Sequence, residues 1–385
     1  MASPSIAIVG AGFSGTLLAL HLLRRCPPEV RIVLVERNSR FGHGQAYSTG
    51  NPSHLLNGPA GRMSAFHDRP TDFLDWLRRH STEAAQPHDF VPRGVYGAYV
   101  RSLLKEELRR APRGRLELVR GAVLSIDRGA HPLRLAVERD RVIEADLAVL
   151  AIGNFPPEPM PVADPSFYET AFYRPDPWSP QALAGLDPRA PVLLIGTGLT
   201  MIDVAISLLD QRHAGPILAL LRRGLLPRPH EPSAAMSDSA SQAFPTSSLQ
   251  MLRLLRQEAR RAEAEDGSWQ PIVDELRPFA RDVWQAMSLA EKARFLRHAR
   301  PWWEVHRHRM PPAVAERIAR ARGRAATGPG GSDPRLRHHR RPGRGHVPVA
   351  RLGFVPKSRG CPRNQLLGTG CRLCPHRRSP GPEPA

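Results

Sequence analysis

The chain has 385 residues, 41% of them hydrophobic, which is enough apolar material for two domains of ordinary size. It holds no apolar stretch of the roughly 20 residues that cross a membrane, so we expect no signal peptide, no membrane anchor and a cytoplasmic location. The net charge is +19, but residues 321–385 carry 14 of the basic residues and two acids, which leaves +7 for residues 1–320. Nucleic-acid binding would therefore have to depend on the C-terminal segment.

The N-terminal segment SIAIVGAGFSGTLLALHLLRR combines a short apolar run, three glycines and an apolar helical stretch. Gly10, Gly12 and Gly15 have G-x-G-x-x-G spacing, in which one glycine allows the turn, one lets a pyrophosphate approach and one lets helix and strand pack closely. The next apolar run, RIVLVE, ends in Glu36, where an acid can bind a ribose hydroxyl. The pattern predicts a dinucleotide site, and the alternative is an ordinary tight turn.

The following stretch predicts loops, two helices and a small sheet. Residues 37–69 are rich in glycine and proline, and Pro70 suits the first turn of a helix. A second helix is predicted over residues 94–110. The runs LELVRGAVLSID and LRLAVERDRVIEADLAVLAIG alternate like strands, and predict an antiparallel ribbon that leads into a buried strand over residues 147–152. A proline-rich connector follows Gly153 and indicates a crossing between domains.

The strand–glycine–helix pattern returns in PVLLIGTGLTMIDVAISLLDQR. Gly196 and Gly198 follow the apolar strand, and Thr200 stands at the start of the helix as a further candidate for binding. Met201 occupies the place where a third small residue would help helix and strand to pack, so a looser site is expected. Two such units in one chain predict two bound dinucleotides.

The second unit also predicts which nucleotide it prefers. Its second strand is followed by Arg222 and Arg223 instead of an acid. A carboxylate there would repel a 2′-phosphate, whereas guanidinium groups can bind one, so NADPH is predicted in preference to NADH. The alternative is that these arginines only solvate the end of a strand.

Residues 248–320 are predicted to be helical and contain four tryptophans among leucines and arginines. We expect these aromatic residues to form a core that covers an active site, because long apolar side chains accompany them. His306 and His308 are two positions apart and lie on different faces of a helix, so we assign no metal site. The sequence contains no G-x-S-x-G or H-E-x-x-H motif, so it does not support a hydrolase of either kind.

Both glycine units, the strand end AIGNFPPEP, the segment RFGHGQAYSTGNPSHLLNGPAGRMSA and the segment WWEVHRHRMPP resemble the bacterial FAD-NAD(P)-binding protein family over about residues 1–320. The resemblance implies a flavoprotein oxidoreductase with FAD on one Rossmann-like domain and NAD(P)H on another. Ile152 stands where the strand ends of such proteins have threonine. The resemblance also places Arg62 near the flavin, and the alternative is that Arg62 is only an exposed charge in a loop. The implied FAD site comprises Gly10, Gly12, Phe13, Ser14, Gly15, Glu36, Arg62, Met63, Ser64, Gly153 and Asn154.

Residues 321–385 contain 10 prolines, 11 glycines and 13 arginines with scarcely any periodicity, so they are predicted to be disordered. The resemblance implies a closing C-terminal strand and glycine turn at the flavin, and neither is found. Because this composition is typical of a GC-rich gene read out of frame, we interpret the segment as frameshifted; the alternative is a genuine basic tail. Cys361, Cys371, Cys374 and His376 have a nominal zinc spacing, which a frameshift would make accidental.

The sequence therefore predicts an α/β protein with four parts. These are an FAD-binding domain (1–160), an NAD(P)-binding domain (161–247), a helical insertion (248–320) and a disordered or aberrant tail (321–385).

The predicted activity is hydride transfer from NADPH to FAD and then to a small-molecule substrate, an electron acceptor or oxygen. Monooxygenation stays open, although the F-x-G-x-x-x-H-x-x-x-W fingerprint is not met after Phe155. One alternative is a nucleotide-binding protein without turnover, caused by the altered C-terminus. Another is a nucleic-acid binder that uses the basic tail, although the tail lacks interleaved aromatic residues.

Overall fold

A computed structural model describes residues 3–81, 84–220, 223–231, 244–265, 267–326 and 349–352. The strands are β1 (Ser5–Val9), β2 (Arg31–Glu36), β3 (Leu116–Arg120), β4 (Val123–Asp127), β5 (Leu133–Val137), β6 (Arg141–Ala145), β7 (Leu147–Leu150), β8 (Val192–Ile195), β9 (Ile217–Leu220) and β10 (Val349–Leu352). The α-helices are α1 (Phe13–Arg25), α2 (Gly44–Tyr47), α3 (Asp72–His80), α4 (Arg93–Arg110), α5 (Leu199–Asp210), α6 (Ser248–Ala264), α7 (Gln270–Leu276), α8 (Ala280–Ala286), α9 (Leu289–Arg294), α10 (Arg300–Arg307) and α11 (Pro312–Ala326).

The first unit is built on a parallel sheet with strand order β3-β2-β1-β7. Alternate residues of β2 enter two different cores because successive side chains of a strand point to opposite faces. Ile32 and Leu34 pack with the buried faces of α1 and α4, whereas Val33 and Val35 pack against the antiparallel sheet β4-β5-β6. The result is a helix–sheet–sheet arrangement, which confirms the predicted α/β class.

Three local predictions need correction. The segment LELVR does not join the antiparallel ribbon, because β3 pairs in parallel with β2. The strand predicted as buried over residues 147–152 ends at Leu150 and lies at an edge, where Leu147 and Leu150 are each 61% exposed. The helix predicted from Pro70 begins at Asp72. A period-2 pattern locates a strand but does not identify its neighbours, which explains the first two errors.

The second unit repeats the arrangement on a smaller scale. Strands β8 and β9 are parallel, and β10 adds to β9 in the antiparallel sense. Helix α5 packs with α11 and β9 in a core that contains Ile202, Ile206 and Ile318. Two pieces of the predicted tail are therefore described, namely the end of α11 and β10. The predictions for the rest of that tail, including its disorder, its frameshifted origin and the zinc spacing, lie outside the described residues.

A buried ion pair attaches α5 to the first unit. The Arg93 guanidinium donates to both carboxylate oxygens of Asp203, at 2.7 and 3.2 Å. His54 adds contacts from Nε2 to the Asp203 carbonyl oxygen and to the Ser207 hydroxyl. Burial raises the pKa of the Asp203 carboxyl, and the charge of Arg93 acts in the opposite direction. These bonds fix the second glycine loop relative to the first.

No helix in the described part of the chain is both long and apolar enough to span a membrane.

The exposed edge of β7 makes a prediction about self-association. Unpaired edge strands with apolar side chains promote strand-to-strand association, and charged residues suppress it. The double variant Leu147→Lys/Leu150→Lys should remain monodisperse at concentrations where the parent chain scatters light. Leu289→Lys is the matched control, since Leu289 is 85% exposed but lies on a helix. Equal improvement by the control would show that the strand edge has no special role.

Candidate functional site: two glycine loops

The first glycine loop is held by very close backbone contacts. Gly10 has φ of +103°, and a Cβ atom built there would lie 2.3 Å from the Ala151 carbonyl oxygen. A Cβ atom at Gly15 would lie 1.9 Å from the Gly10 carbonyl oxygen. The first and third glycines are therefore required for the turn and for packing α1 against the end of β1.

Gly12 has a different role. Its backbone is extended (φ −68°, ψ −169°), and an added Cβ atom would make only an ordinary 3.4 Å contact with the Gly44 Cα. The fold therefore does not need glycine at this position, whereas the close approach of a pyrophosphate does. Phe13 and Ser14 begin α1, where the first backbone amides lack intrahelical acceptors and can donate to an anion.

Glu36 lies where the sequence predicts, at the end of β2 beside the loop. Its Oε2 accepts a hydrogen bond from the Ala11 amide at 2.9 Å, and its Oε1 accepts one from the Asn38 amide at 3.1 Å. Each carboxylate oxygen can accept further bonds, so a ribose hydroxyl can still donate to it.

A segment that the sequence analysis left without a role closes over this loop. The Gly42 amide donates to the Ala11 carbonyl oxygen at 2.9 Å, and Gly44 lies against Gly12. Between them, both ring nitrogens of His43 are buried and have no hydrogen-bond partner among the described residues. Burial lowers the pKa of His43, and the nearby charges of Arg101 and Arg40 lower it further.

The loop and this segment fit a bound dinucleotide diphosphate. Orphaned buried donors such as the His43 ring are costly unless a partner satisfies them. Two arginines near the histidine, Arg40 and Arg101, supply positive charge. In the sequence, the only feature that pointed to His43 as a site residue was the pair of glycines that flank it in FGHG.

The other residues implied for the FAD site lie in two places. Arg62 donates from Nη1 to the Asp274 carboxylate at 3.0 Å, and so contacts the helical region. Ser64 donates to backbone carbonyl oxygens of Phe66 and Arg69, and the Met63 sulfur approaches Gly58. No hydrogen bond among the described residues joins these three to the first glycine loop.

Gly153 and Asn154 are exposed and follow β7. Gly153 adopts φ of +71°, with open space where a Cβ atom would stand. The contact with Gly10 is instead made by Ala151, two residues earlier. Both residues therefore lie just beyond the end of the strand that borders the first loop.

The second glycine loop has nearly the same backbone geometry as the first. Gly196 has φ of +101°, and Gly198 has φ of −73° and ψ of −177°. The Gly196 amide donates to the Leu220 carbonyl oxygen at 2.9 Å, as the Gly10 amide donates to that of Val35 at 2.8 Å.

The surroundings of the second loop are more open. Cβ atoms at Gly196 and Gly198 would meet no atom of the described residues within 4 Å. Thr200 is exposed in the first turn of α5, whereas Met201 is buried. Of the two arginines after β9, Arg222 lies outside the described residues. Arg223 is exposed and donates to the Arg297 carbonyl oxygen at 3.0 Å.

The histidines of the helical region make local contacts. His306 donates from Nδ1 to the Trp302 carbonyl oxygen at 2.7 Å, and His308 lies 3.1 Å from the Glu304 carboxylate. The described residues contain no group of three or more metal-binding side chains.

The geometry defines a class of protein. Each of the two units consists of parallel strands, a glycine loop and a helix. Each presents free amides at the start of its helix and one glycine without a packing function, Gly12 or Gly198. This is the arrangement that binds dinucleotides. Residues 7–155 match a family model described as FAD-NAD(P)-binding. This stretch is therefore an FAD-NAD(P)-binding domain, which confirms the predicted family and cofactors for this part of the chain.

Comparisons with whole proteins show weaker similarity than the family match. No curated protein matches the sequence significantly. Among solved structures, an open crystal structure of cyclohexanone monooxygenase is 19% identical with a TM-score of 0.40, over 59% of this chain and 40% of that one. Lysine monooxygenase NbtG from Nocardia farcinica is 21% identical with a TM-score of 0.35, over 55% of this chain and 57% of that one. S-allyl-L-cysteine S-oxygenase from Allium sativum is 16% identical with a TM-score of 0.41, over 59% and 53%.

The chain thus spans less than two thirds of each of these three proteins. The TM-scores are low, so the class assignment depends on the family match and on the loop geometry.

Substitution of individual glycines should separate folding from FAD binding. Gly15→Ala places a methyl group 1.9 Å from the Gly10 carbonyl oxygen, which is a severe steric clash. We therefore expect the free energy of unfolding, measured by urea denaturation, to fall by about 3 kcal/mol. Gly12→Ala should leave that free energy within about 1 kcal/mol of the parent but weaken FAD binding at least tenfold, measured by quenching of flavin fluorescence. Gly50→Ala is the control, because its added Cβ atom meets nothing within 4 Å. Unchanged FAD binding by Gly12→Ala would contradict the assigned role of this glycine.

Proposed function

We propose that the chain is an FAD-dependent NAD(P)H oxidoreductase, with FAD bound by residues 1–160 and NADPH by residues 161–247. The observation that carries the proposal is the near identity of the two loops, since φ is +103° at Gly10 and +101° at Gly196. Gly12 and Gly198 then cap their helices in the same extended conformation. A chain with two such loops is suited to hold two dinucleotides at once.

The first loop would hold the FAD diphosphate through the amides of Phe13 and Ser14. Glu36 would accept the ribose hydroxyl, and His43 would donate to an acceptor that crosses the loop. The neutral state of His43, favoured by its lowered pKa, leaves one ring nitrogen as donor and one as acceptor. When bound, FAD supplies the hydride and electron chemistry, while the protein orients the groups and excludes water.

The second loop would hold NADPH less tightly, because no described side chain packs against Gly196 or Gly198. Arg223, with Arg222 beside it in the sequence, supplies the charge that favours a 2′-phosphate. The electron acceptor is a small molecule or oxygen, and monooxygenation is one form that this activity can take. A cytoplasmic location and independence from nucleic acid belong to the same proposal.

An anaerobic NADPH titration tests the activity. The purified chain reconstituted with FAD should be yellow, and NADPH should bleach its absorbance near 450 nm. Gly198→Val should keep the colour and its bleaching by dithionite but lose bleaching by NADPH, because the added methyl groups obstruct the nucleotide approach. Gly50→Val is the control for a glycine outside both loops.

Binding of FAD without bleaching by NADPH would contradict the proposal. That outcome would support the alternative of a nucleotide-binding protein without turnover.

The preference for NADPH depends on Arg223. Arg223→Leu should raise KM for NADPH about tenfold, which corresponds to about 1.4 kcal/mol, and should change KM for NADH by less than twofold. Arg189→Leu is a matched control, since Arg189 is also exposed and lies in the loop before β8. Equal effects on the two nucleotides would remove Arg223 from phosphate recognition.

A further inference from the structure

The helical region forms a large, partly open cavity that the nucleotide sites do not use. Its volume is about 1050 Å³, near the upper end of the range for small-molecule pockets. Helices α6, α7, α8 and α10 surround it. The tryptophans that the sequence analysis assigned to a core line this cavity instead; they are Trp269, Trp284, Trp302 and Trp303.

Each helix contributes one face of its surface to the cavity. On α10 the lining residues recur at helical spacing, at Trp302, Trp303, His306 and Arg307, and Ala299 lies just before this helix. The other three helices contribute aliphatic side chains, which include Met251, Leu252, Leu255, Ile272, Val273, Leu276 and Val283, and Met287 lines the cavity directly after α8. Such faces normally pack against each other, so a cavity of this size between them forgoes a large amount of apolar contact. An apolar occupant would restore that contact.

The charges on the cavity wall have one predominant sign. Arg228, Arg256 and Arg307 line the cavity, and none of them forms an ion pair with any residue that the structure describes. Arg294 also lines it and is paired with Glu291. Glu263 is the single acid among the lining residues. The lining side chains without an ion pair therefore carry a net positive charge.

Arg228 and Arg307 both line the cavity, and their backbones lie near each other. The Arg228 amide donates to the Val305 carbonyl oxygen at 3.0 Å, two residues before Arg307 on the same chain segment. The Nε atom of Arg307 is buried without a hydrogen-bond acceptor among the described residues. His306 packs edge-on against Trp269 at 4.8 Å between ring centroids. This part of the wall therefore combines the exposed Arg228 and the half-buried Arg307, neither of them in an ion pair with a described residue, with an aromatic surface.

The same helix that lines the cavity also reaches the first unit. On α7, Asp274 pairs with Arg62 of the FAD-binding domain and with the buried Arg309. Ile272 and Val273, which directly precede Asp274 in the helix, are buried and line the cavity. The cavity is therefore separated from the loop of Arg62 by one helix.

We propose that this cavity binds a small organic anion with an apolar, aromatic or aliphatic body and a carboxylate or similar acidic group. The body occupies the space between the tryptophans and aliphatic side chains, and the acidic group pairs with Arg228 and Arg307. The positive charge of the wall disfavours a cationic ligand of the same shape. The proposal goes beyond the oxidoreductase activity, because binding here requires neither FAD nor NADPH.

The test uses 1-naphthylacetate as the anionic ligand and 1-naphthylmethylammonium as its cationic counterpart. Titrations of the full chain are followed by calorimetry and by tryptophan fluorescence. We expect saturable binding of one naphthylacetate per chain and at least tenfold weaker binding of the ammonium compound. Arg228→Gln/Arg307→Gln should weaken naphthylacetate binding at least tenfold, and Val283→Trp should also weaken it, because the added indole takes space that the naphthyl group needs.

Arg281→Gln is the matched control, because Arg281 is exposed on α8 and does not line the cavity. It should bind naphthylacetate as the parent does, and circular dichroism should show that all variants remain folded. Three results would overturn the proposal: no saturable binding of naphthylacetate, equal binding of the two compounds, or retained affinity in both the double variant and Val283→Trp. Failure of NADPH to reduce bound FAD would leave this result unaffected, so the two proposals are tested separately.

Discussion

The close approach of the Gly10 carbonyl to Gly15 governs the geometry of the first unit. A side chain at Gly15 would begin 1.9 Å from that oxygen, and one at Gly10 would begin 2.3 Å from the Ala151 oxygen. The absence of both side chains lets α1 start directly at the end of β1 and beside the end of β7. Its free amides then lie next to Glu36 and the segment around His43. The same contacts that fold the sheet thus build the anion site.

The second unit depends on the first through the Arg93–Asp203 ion pair. Both side chains are largely buried, and removal of one partner from such a pair typically costs about 3–5 kcal/mol because a charge is left uncompensated. The pair, with His54, holds α5 and therefore the loop at Gly198. On the other side, Asp274 connects Arg62 with the helical region. The two nucleotide loops and the helical cavity are linked by polar contacts between elements that are distant in sequence.

Local patterns in the sequence were sufficient for much of this fold. The glycine spacing and Glu36 located the first loop, and the repeated pattern located the second, because both depend on neighbours within about 30 residues. The assignment of β3 failed because strand alternation is the same in parallel and antiparallel sheets. The exposure of β7 was missed because an apolar strand does not show which strand lies beside it.

The candidate site was predicted less completely, for a similar reason. His43 became noticeable only when its buried ring nitrogens proved to lack partners beside Gly12. Arg62 was expected near the flavin, and its ion pair with Asp274 spans 212 residues, which no local pattern reveals. The tryptophans were expected to fill a core, but helical periodicity cannot distinguish a packed core from faces that surround a cavity.

The proposed function requires one chain to hold FAD and a nicotinamide nucleotide at the same time, on separate loops. Calorimetric titration of NADP⁺ into the chain already saturated with FAD measures whether it does. We expect one NADP⁺ to bind per chain with FAD still in place. Displacement of FAD by NADP⁺, with one nucleotide bound in total, would show a single site and contradict the proposed function.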